Sequence, residues 1–167
     1  MNIAKFFLYL TYFLSLVFSF AIGYYIDDLG HSHLMYNQTY YLTPNISRVA
    51  IVTVLHQKDV HYLVNDNFYY TLTNDYVTKF IEQDRLNTRI YRPDKYDCDN
   101  YALSLMTRVL DHNYYVDIPY NFAFGMCVMH QHAINLFIND NYNTYCVEPQ
   151  NDTIFKCDFV MCNFVIM

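Results

Sequence analysis

The spacing of hydrophobic positions changes along the chain, and each change predicts an element. From Phe6 to Ile26 there is no period, only an unbroken apolar run between Lys5 and the pair Asp27 and Asp28. Further on, "VAIVTVL" (49–55) and "FYYTLT" (68–73) are rich in β-branched and aromatic residues and predict strands. "NDYVTKFIEQDRL" (74–86) predicts a short helix capped by Asn74 or Asp75, and a loop holding Pro93 follows it. From Cys98 to about Leu110 the period is helical, with Cys98, Ala102, Leu105 and Val109 on one stripe. After a polar break at His112–Pro119 the period becomes two. "NFAFGMCVMH" (121–130), "HAINLFI" (132–138), "TYCVEP" (144–149) and "FVMCNFVIM" (159–167) predict strands, the middle pair joined by the turn-forming "NDNYN". The expected class is α+β: a central helix carrying Cys98, packed on an antiparallel sheet.

The leader sets where that domain would work. An apolar run this long is close to the roughly 20 residues that cross a bilayer. Lys5 before it and the aspartates after it place the N-terminus in the cytoplasm and the rest outside. Ser19 and Ala21 also suit signal-peptide cleavage, so residues 1–28 are expected to be a signal anchor or a signal peptide. Residues 29–47 then form a linker or irregular segment broken by Pro44, and residues 48–167 form the domain. The expected location is the membrane, as a single-pass protein with a cytoplasmic N-terminus, or the exterior as a secreted protein.

Export changes how the cysteines read. There are five, at 98, 127, 146, 157 and 162, so an oxidising compartment leaves one free. Cys98 is the odd one out, because the other four lie together in the last third, with three connectivities open to them. Sequons at Asn37, Asn45 and Asn151 add weak support for export.

Composition and charge exclude more than they select. A hydrophobic content of 54% rules out a disordered chain, and 167 residues suit one domain with a sizeable core. A net charge of −6 without a Lys/Arg cluster leaves nothing to neutralise phosphates, so nucleic acid is not an expected partner. The expected partners are the membrane, through the N-terminal helix if it is uncleaved, and a peptide or a cell-surface substrate. No cofactor is expected.

Chemistry concentrates in Cys98, His132 and Glu148. A thiol at a helix start gains from the positive end of the dipole, which favours the thiolate, while Asp97 and Asp99 beside it work against this. Taken alone, Cys98 reads equally as a small buried residue with Asp97 as the helix cap. His130 and His132 form a His-x-His pair, but no third ligand has convincing spacing, so no metal is expected. His132 heads the stripe Ile134, Leu136, Ile138 and is the better base. Glu148 is one of only two glutamates in the chain, placed where an apolar strand meets Pro149, and is a fitting partner for a histidine. Taken alone it also reads as a strand end in water.

Together, "PDKYDCDNYALSL", "FAFGM", "HAINLFI" and "VEPQND" resemble a papain-like/transglutaminase-like family of phage, archaeal and bacterial proteins with Cys-Asp-Asp-Phe-Ala, Gly-His-Ala-Trp-Asn and Glu-Pro-Gln blocks. The Cys, His and Glu order is also similar to the papain-like protease domain of fungal agglutinins. The resemblance covers about Ile90 to the C-terminus, with Gln131, Ile134 and Asn100 departing from the pattern. It implies Cys98 as nucleophile, His132 as base and Glu148 as the residue orienting the imidazole. The activity it implies is thiol-dependent acyl transfer on the extracytoplasmic side, by an amidase, a peptidase or a transglutaminase-like enzyme. The competing expectation is an inactive, membrane-tethered or secreted ligand-binding module of the same fold.

Overall fold

A computed structural model describes residues 44–116 and 118–167. The apolar run Phe6–Ile26 and sequon Asn37 lie outside them, as does most of the stretch expected to be a linker. Among the described residues no helix is long and apolar enough to cross a membrane.

The first correction falls on "VAIVTVL". It forms helix α1, Arg48–Gln57, after a short strand β1, Asn45–Ser47. Ser47 caps the helix, its hydroxyl accepting the Ala50 N–H at 3.2 Å. Ile51 and Leu55, four residues apart, are buried while Val49 is 74% exposed. Helical burial of one stripe has overridden the β-propensity of the valines. "FYYTLT" is a strand only over Phe68–Tyr70 (β3), after β2 at His61–Leu63. Helix α2, Asn74–Asp84, is capped by Thr73, whose hydroxyl takes the Tyr76 N–H at 3.1 Å. A 3-10 turn at Leu86–Thr88 leads toward α3, Cys98–Tyr115. The expected polar break at His112 is the last turn of that helix, because His112 and Asn113 point inward and are buried.

The remaining strands are β4 (Asn121–Phe122), β5 (Phe124–Val128), β6 (Ala133–Ile138), β7 (Thr144–Glu148), β8 (Thr153–Lys156) and β9 (Phe164–Ile166), with a 3-10 turn at Phe159–Met161. Here the expected single antiparallel sheet is corrected. There are two sheets, of order β1-β3-β4 and β2-β9-β5-β6-β7-β8. Each holds one parallel pair, β3 with β4 and β2 with β9, so both are mixed.

The larger sheet lies between helices. On one face Ile134, Leu136, Ile138 and Cys146 pack with Ile51 and Leu55 of α1, and on the other Met126 and Ala133 meet Ala102 of α3. Gly125 permits close packing of the C-terminal strand against β5: a Cβ there would lie 2.2 Å from the Ile166 carbonyl oxygen. Disulfides Cys127–Cys162 and Cys146–Cys157 tie the last segment to the sheet, leaving Cys98 as the free cysteine.

Candidate functional site

Cys98 is the first residue of α3 and is half-buried. The chain reaches it through a tight turn in which Tyr96 N–H donates to the Arg92 carbonyl at 2.8 Å and Arg92 N–H donates back at 2.9 Å. Tyr96 is then anchored by Arg89 Nη1 at 2.6 Å and Ser104 Oγ at 2.9 Å. The two aspartates beside the thiol have different duties. Asp99 Oδ1 accepts the Asn100 N–H at 2.9 Å, while Asn100 Oδ1 accepts the Asp97 N–H at 3.2 Å. The Asp97 carboxyl is held above its ordinary range, first by a hydrogen bond with Asp99 and then by partial desolvation. The Tyr91 phenol is likewise raised, first by desolvation and then by the charges of Asp97 and Cys98.

His132 and Glu148 are brought together by hairpin register. In β6 and β7, Asn135 lies opposite Val147 and Ile138 opposite Thr144. The ladder continues to Asn139, whose N–H donates to the Asn143 carbonyl at 2.8 Å, so Asp140–Tyr142 form the tip. An odd tip keeps positions an even number apart on the same face, so Glu148 and the position of His132 share one. His132 Nε2 sits 2.6 Å from Glu148 Oε2, with the two side chains 37% and 18% exposed. Glu148 Oε1 also accepts the Gln150 N–H at 3.3 Å, so both carboxylate oxygens are engaged. With Nε2 committed to the acid, Nδ1 is the ring nitrogen left to meet a ligand. His130 is exposed in the loop before His132 and takes no part in the pair.

The thiol lies at the same end of the sheet as that pair. Ala102 packs on Ala133 at the start of β6, and Asn113 Nδ2 bonds Asn121 Oδ1 at 2.6 Å near its far end, so α3 runs along β6. Cys98 stands one turn, about 6 Å of helix rise, ahead of Ala102. No hydrogen bond joins its sulfur to His132 or Glu148 among the described residues.

Residues that pattern reading missed hold this arrangement in place. Asn135 is fully buried and donates to the Ala102 carbonyl at 2.8 Å and the Gly125 carbonyl at 3.2 Å, locking α3 to the sheet. An amide in an apolar strand was its only signal. Asp84 pairs with Arg108 of α3, and Asn87 Nδ2 bonds Asp152 Oδ2 at 2.5 Å, fastening the turn after Glu148. Burial, with Asp84 and Glu82 nearby, pushes the Asp152 carboxyl up to about 6. Among the described residues no group of three or more His, Cys, Asp or Glu side chains could hold a metal ion.

No family model and no curated protein matches the chain. Solved structures do. The PSL1a-E64 complex shares the fold with a TM-score of 0.65 at 19% identity, over 74% of this chain and 50% of that one. Polyporus squamosus lectin bound to a human-type influenza-binding epitope, Neu5Aca2-6Galb1-4GlcNAc, gives 0.61 at 20% identity, over 74% and 49%. At such identity the likeness shows the fold alone, and the chain spans about half the length of each. The identification with the papain-like/transglutaminase-like family is corrected on this ground. Of the two structures, one is named as a lectin and the other as a complex of PSL1a with E64, and neither is named as a protease or a transglutaminase. A likeness of fold alone does not supply the acyl-transfer activity which that identification implied. A half-buried thiol, an imidazole and a carboxylate in that order also have local structural uses here, as helix start, hairpin loop and strand end. Three-quarters of the chain thus shares its fold with about half of a fungal lectin.

Proposed function

We propose that this domain is an exported ligand-binding module whose partner is a cell-surface carbohydrate. Its site is the sheet end where Cys98, His132 and Glu148 gather. The observation that carries the reading is the fold shared with a lectin that was solved with a sialylated trisaccharide. The local chemistry agrees with it. The partly exposed imidazole and the more buried carboxylate offer hydrogen-bonding groups to a hydroxyl-rich ligand, and their 2.6 Å contact fixes them in place before binding. Two disulfides suit an oxidising compartment, in keeping with a secreted or membrane-tethered protein.

Titration calorimetry of the full chain with Neu5Acα2-6Galβ1-4GlcNAc tests the proposal. Saturable binding that weakens in Glu148→Gln supports it, and absence of binding at millimolar sugar overturns it. A second measurement probes Cys98 by iodoacetamide labelling across pH, with the modified residue located by mass spectrometry. Labelling at the rate of a model thiol of pKa about 8.5 fits a binding site. Faster labelling at neutral pH that is lost in His132→Ala would overturn a purely binding role.

A further inference from the structure

A cavity of about 580 Å³ opens at the other end of the β6–β7 hairpin. Ile138 lines it and lies six residues along the strand from His132, about 20 Å away, so it is separate from the site above. Its volume falls in the usual range for small-molecule sites, about 300–1,000 Å³. Ile51, Ile138 and Phe159 form an apolar floor and are each at most 5% exposed. Phe68, Tyr120 and Tyr142 supply ring faces at the wall and rim, with Asn45, Ser47 and Thr144 as polar groups. Tyr120 is held in place between Phe68 and Tyr70, with ring centroids 5.4 and 5.5 Å away.

Two features point to the occupant. Among the described residues lining the cavity none is an acid, a lysine, an arginine or a histidine, so the site selects a neutral ligand. The second is Tyr142, the last residue of the hairpin tip. It is 55% exposed with φ of 58°. That left-handed conformation is expensive for a bulky side chain, and glycine or asparagine fills it at lower cost. The tip does not need tyrosine to close, because Asn139 Oδ1 already accepts the N–H groups of Asn141 and Asn143 at 3.1 and 2.9 Å. Strain retained at a mouth lined with rings is explained by a ligand that stacks on the phenol.

We infer that this cavity is a second carbohydrate subsite, taking a neutral pyranose whose apolar ring face stacks on Tyr142 and whose hydroxyls meet Thr144. The inference rests on the carbohydrate-binding reading and adds a place for the uncharged part of a glycan.

The test uses the full chain with ring-¹³C-labelled tyrosine, the neutral disaccharide Galβ1-4GlcNAc and the sialylated trisaccharide. Binding of the disaccharide that shifts the Tyr142 resonance, with at least a tenfold loss of affinity in Tyr142→Asn, is the expected result. Asparagine relieves the backbone strain, so that variant should melt no lower than the parent, and lost affinity then cannot be blamed on misfolding. A Tyr142→Asn protein that binds the disaccharide as the parent does would overturn the subsite. So would a trisaccharide that binds while the disaccharide does not, or binding of either sugar that leaves the Tyr142 resonance unmoved, with the carbohydrate reading itself intact. Failure of both sugars to bind overturns the two together.

Discussion

Acidification should act on this fold through two groups of opposite sign, one buried and one partly exposed, and substitution can separate them. His112, in the last turn of α3, is 8% exposed, with the rings of Phe80, Tyr76 and Phe122 at centroid distances of 5.5, 6.2 and 6.5 Å. Burial lowers its pKa from 6.5 to about 4. The unfolded chain therefore takes up the proton first. The stability His112 contributes is complete above pH 6.5 and is lost as pH falls toward 4. At 1.36 kcal/mol per unit, the loss between pH 7 and 5 is at most about 2 kcal/mol, and about 1 once residual solvation is allowed for. Asp152 works the other way. Its carboxyl is raised from 3.8 to about 6, so its contribution is present below 3.8 and lost as pH rises through 6. Over the same interval acidification gains at most about 1.4 kcal/mol, and roughly half that for a group so open to solvent. The parent protein should thus change little between pH 7 and 5. His112→Phe, whose ring suits the aromatic surroundings, should gain about 1 kcal/mol on the parent over that interval, and Asp152→Asn should fall behind by roughly 0.7. Urea unfolding followed by far-UV circular dichroism at pH 7, 6 and 5 reads this directly. Parallel pH profiles for the parent and His112→Phe would refute the assignment.

Other perturbations read the remaining parts of the structure. Unreduced, unfolded protein should titrate one thiol with Ellman's reagent, at Cys98, and a count of zero or five would contradict the bridges. Reducing Cys127–Cys162 and Cys146–Cys157, with sequence separations of 35 and 11, should cost roughly 4 and 3 kcal/mol by loop entropy, measured as a shift in urea midpoint. Gly125→Ala should lose about 2 kcal/mol or more, because the added methyl would meet a backbone oxygen at 2.2 Å that cannot move without unzipping β9. An unchanged melting temperature would show that β9 does not sit there. Glu148→Gln should lower stability at pH 7 by no more than about 1 kcal/mol, as befits a partly exposed pair, read as a shift in urea midpoint; a loss of several kcal/mol would show that the pair is shielded from water.

Local pattern alone determined those parts of this protein whose energetics are local or strictly periodic. The stripe Ala102, Leu105, Val109 specifies one buried face of α3, and the short apolar run in "HAINLFI" specifies β6, which is buried on both faces. The turn-rich "NDNYN" marked a hairpin, but a two-residue and a three-residue tip were both open to it, and the observed ladder decides for the odd tip that puts His132 and Glu148 on one face. The parity of the cysteines left Cys98 free. Tertiary structure decided what depends on partners distant in sequence. "VAIVTVL" has the composition of a strand, but a helix lets Ile51 and Leu55 reach the sheet from a capped start at Ser47, which no local propensity encodes. The parallel pairing of β2 with β9 joins residues about a hundred positions apart, and it fixes the C-terminus to the sheet. The fold's likeness to the solved structures resides in that long-range arrangement. Short blocks such as Cys98, His132 and Glu148 record only that three reactive side chains occur in order. The tilt of α3, set by Asn135 and by the Asp84–Arg108 pair, governs how closely they meet.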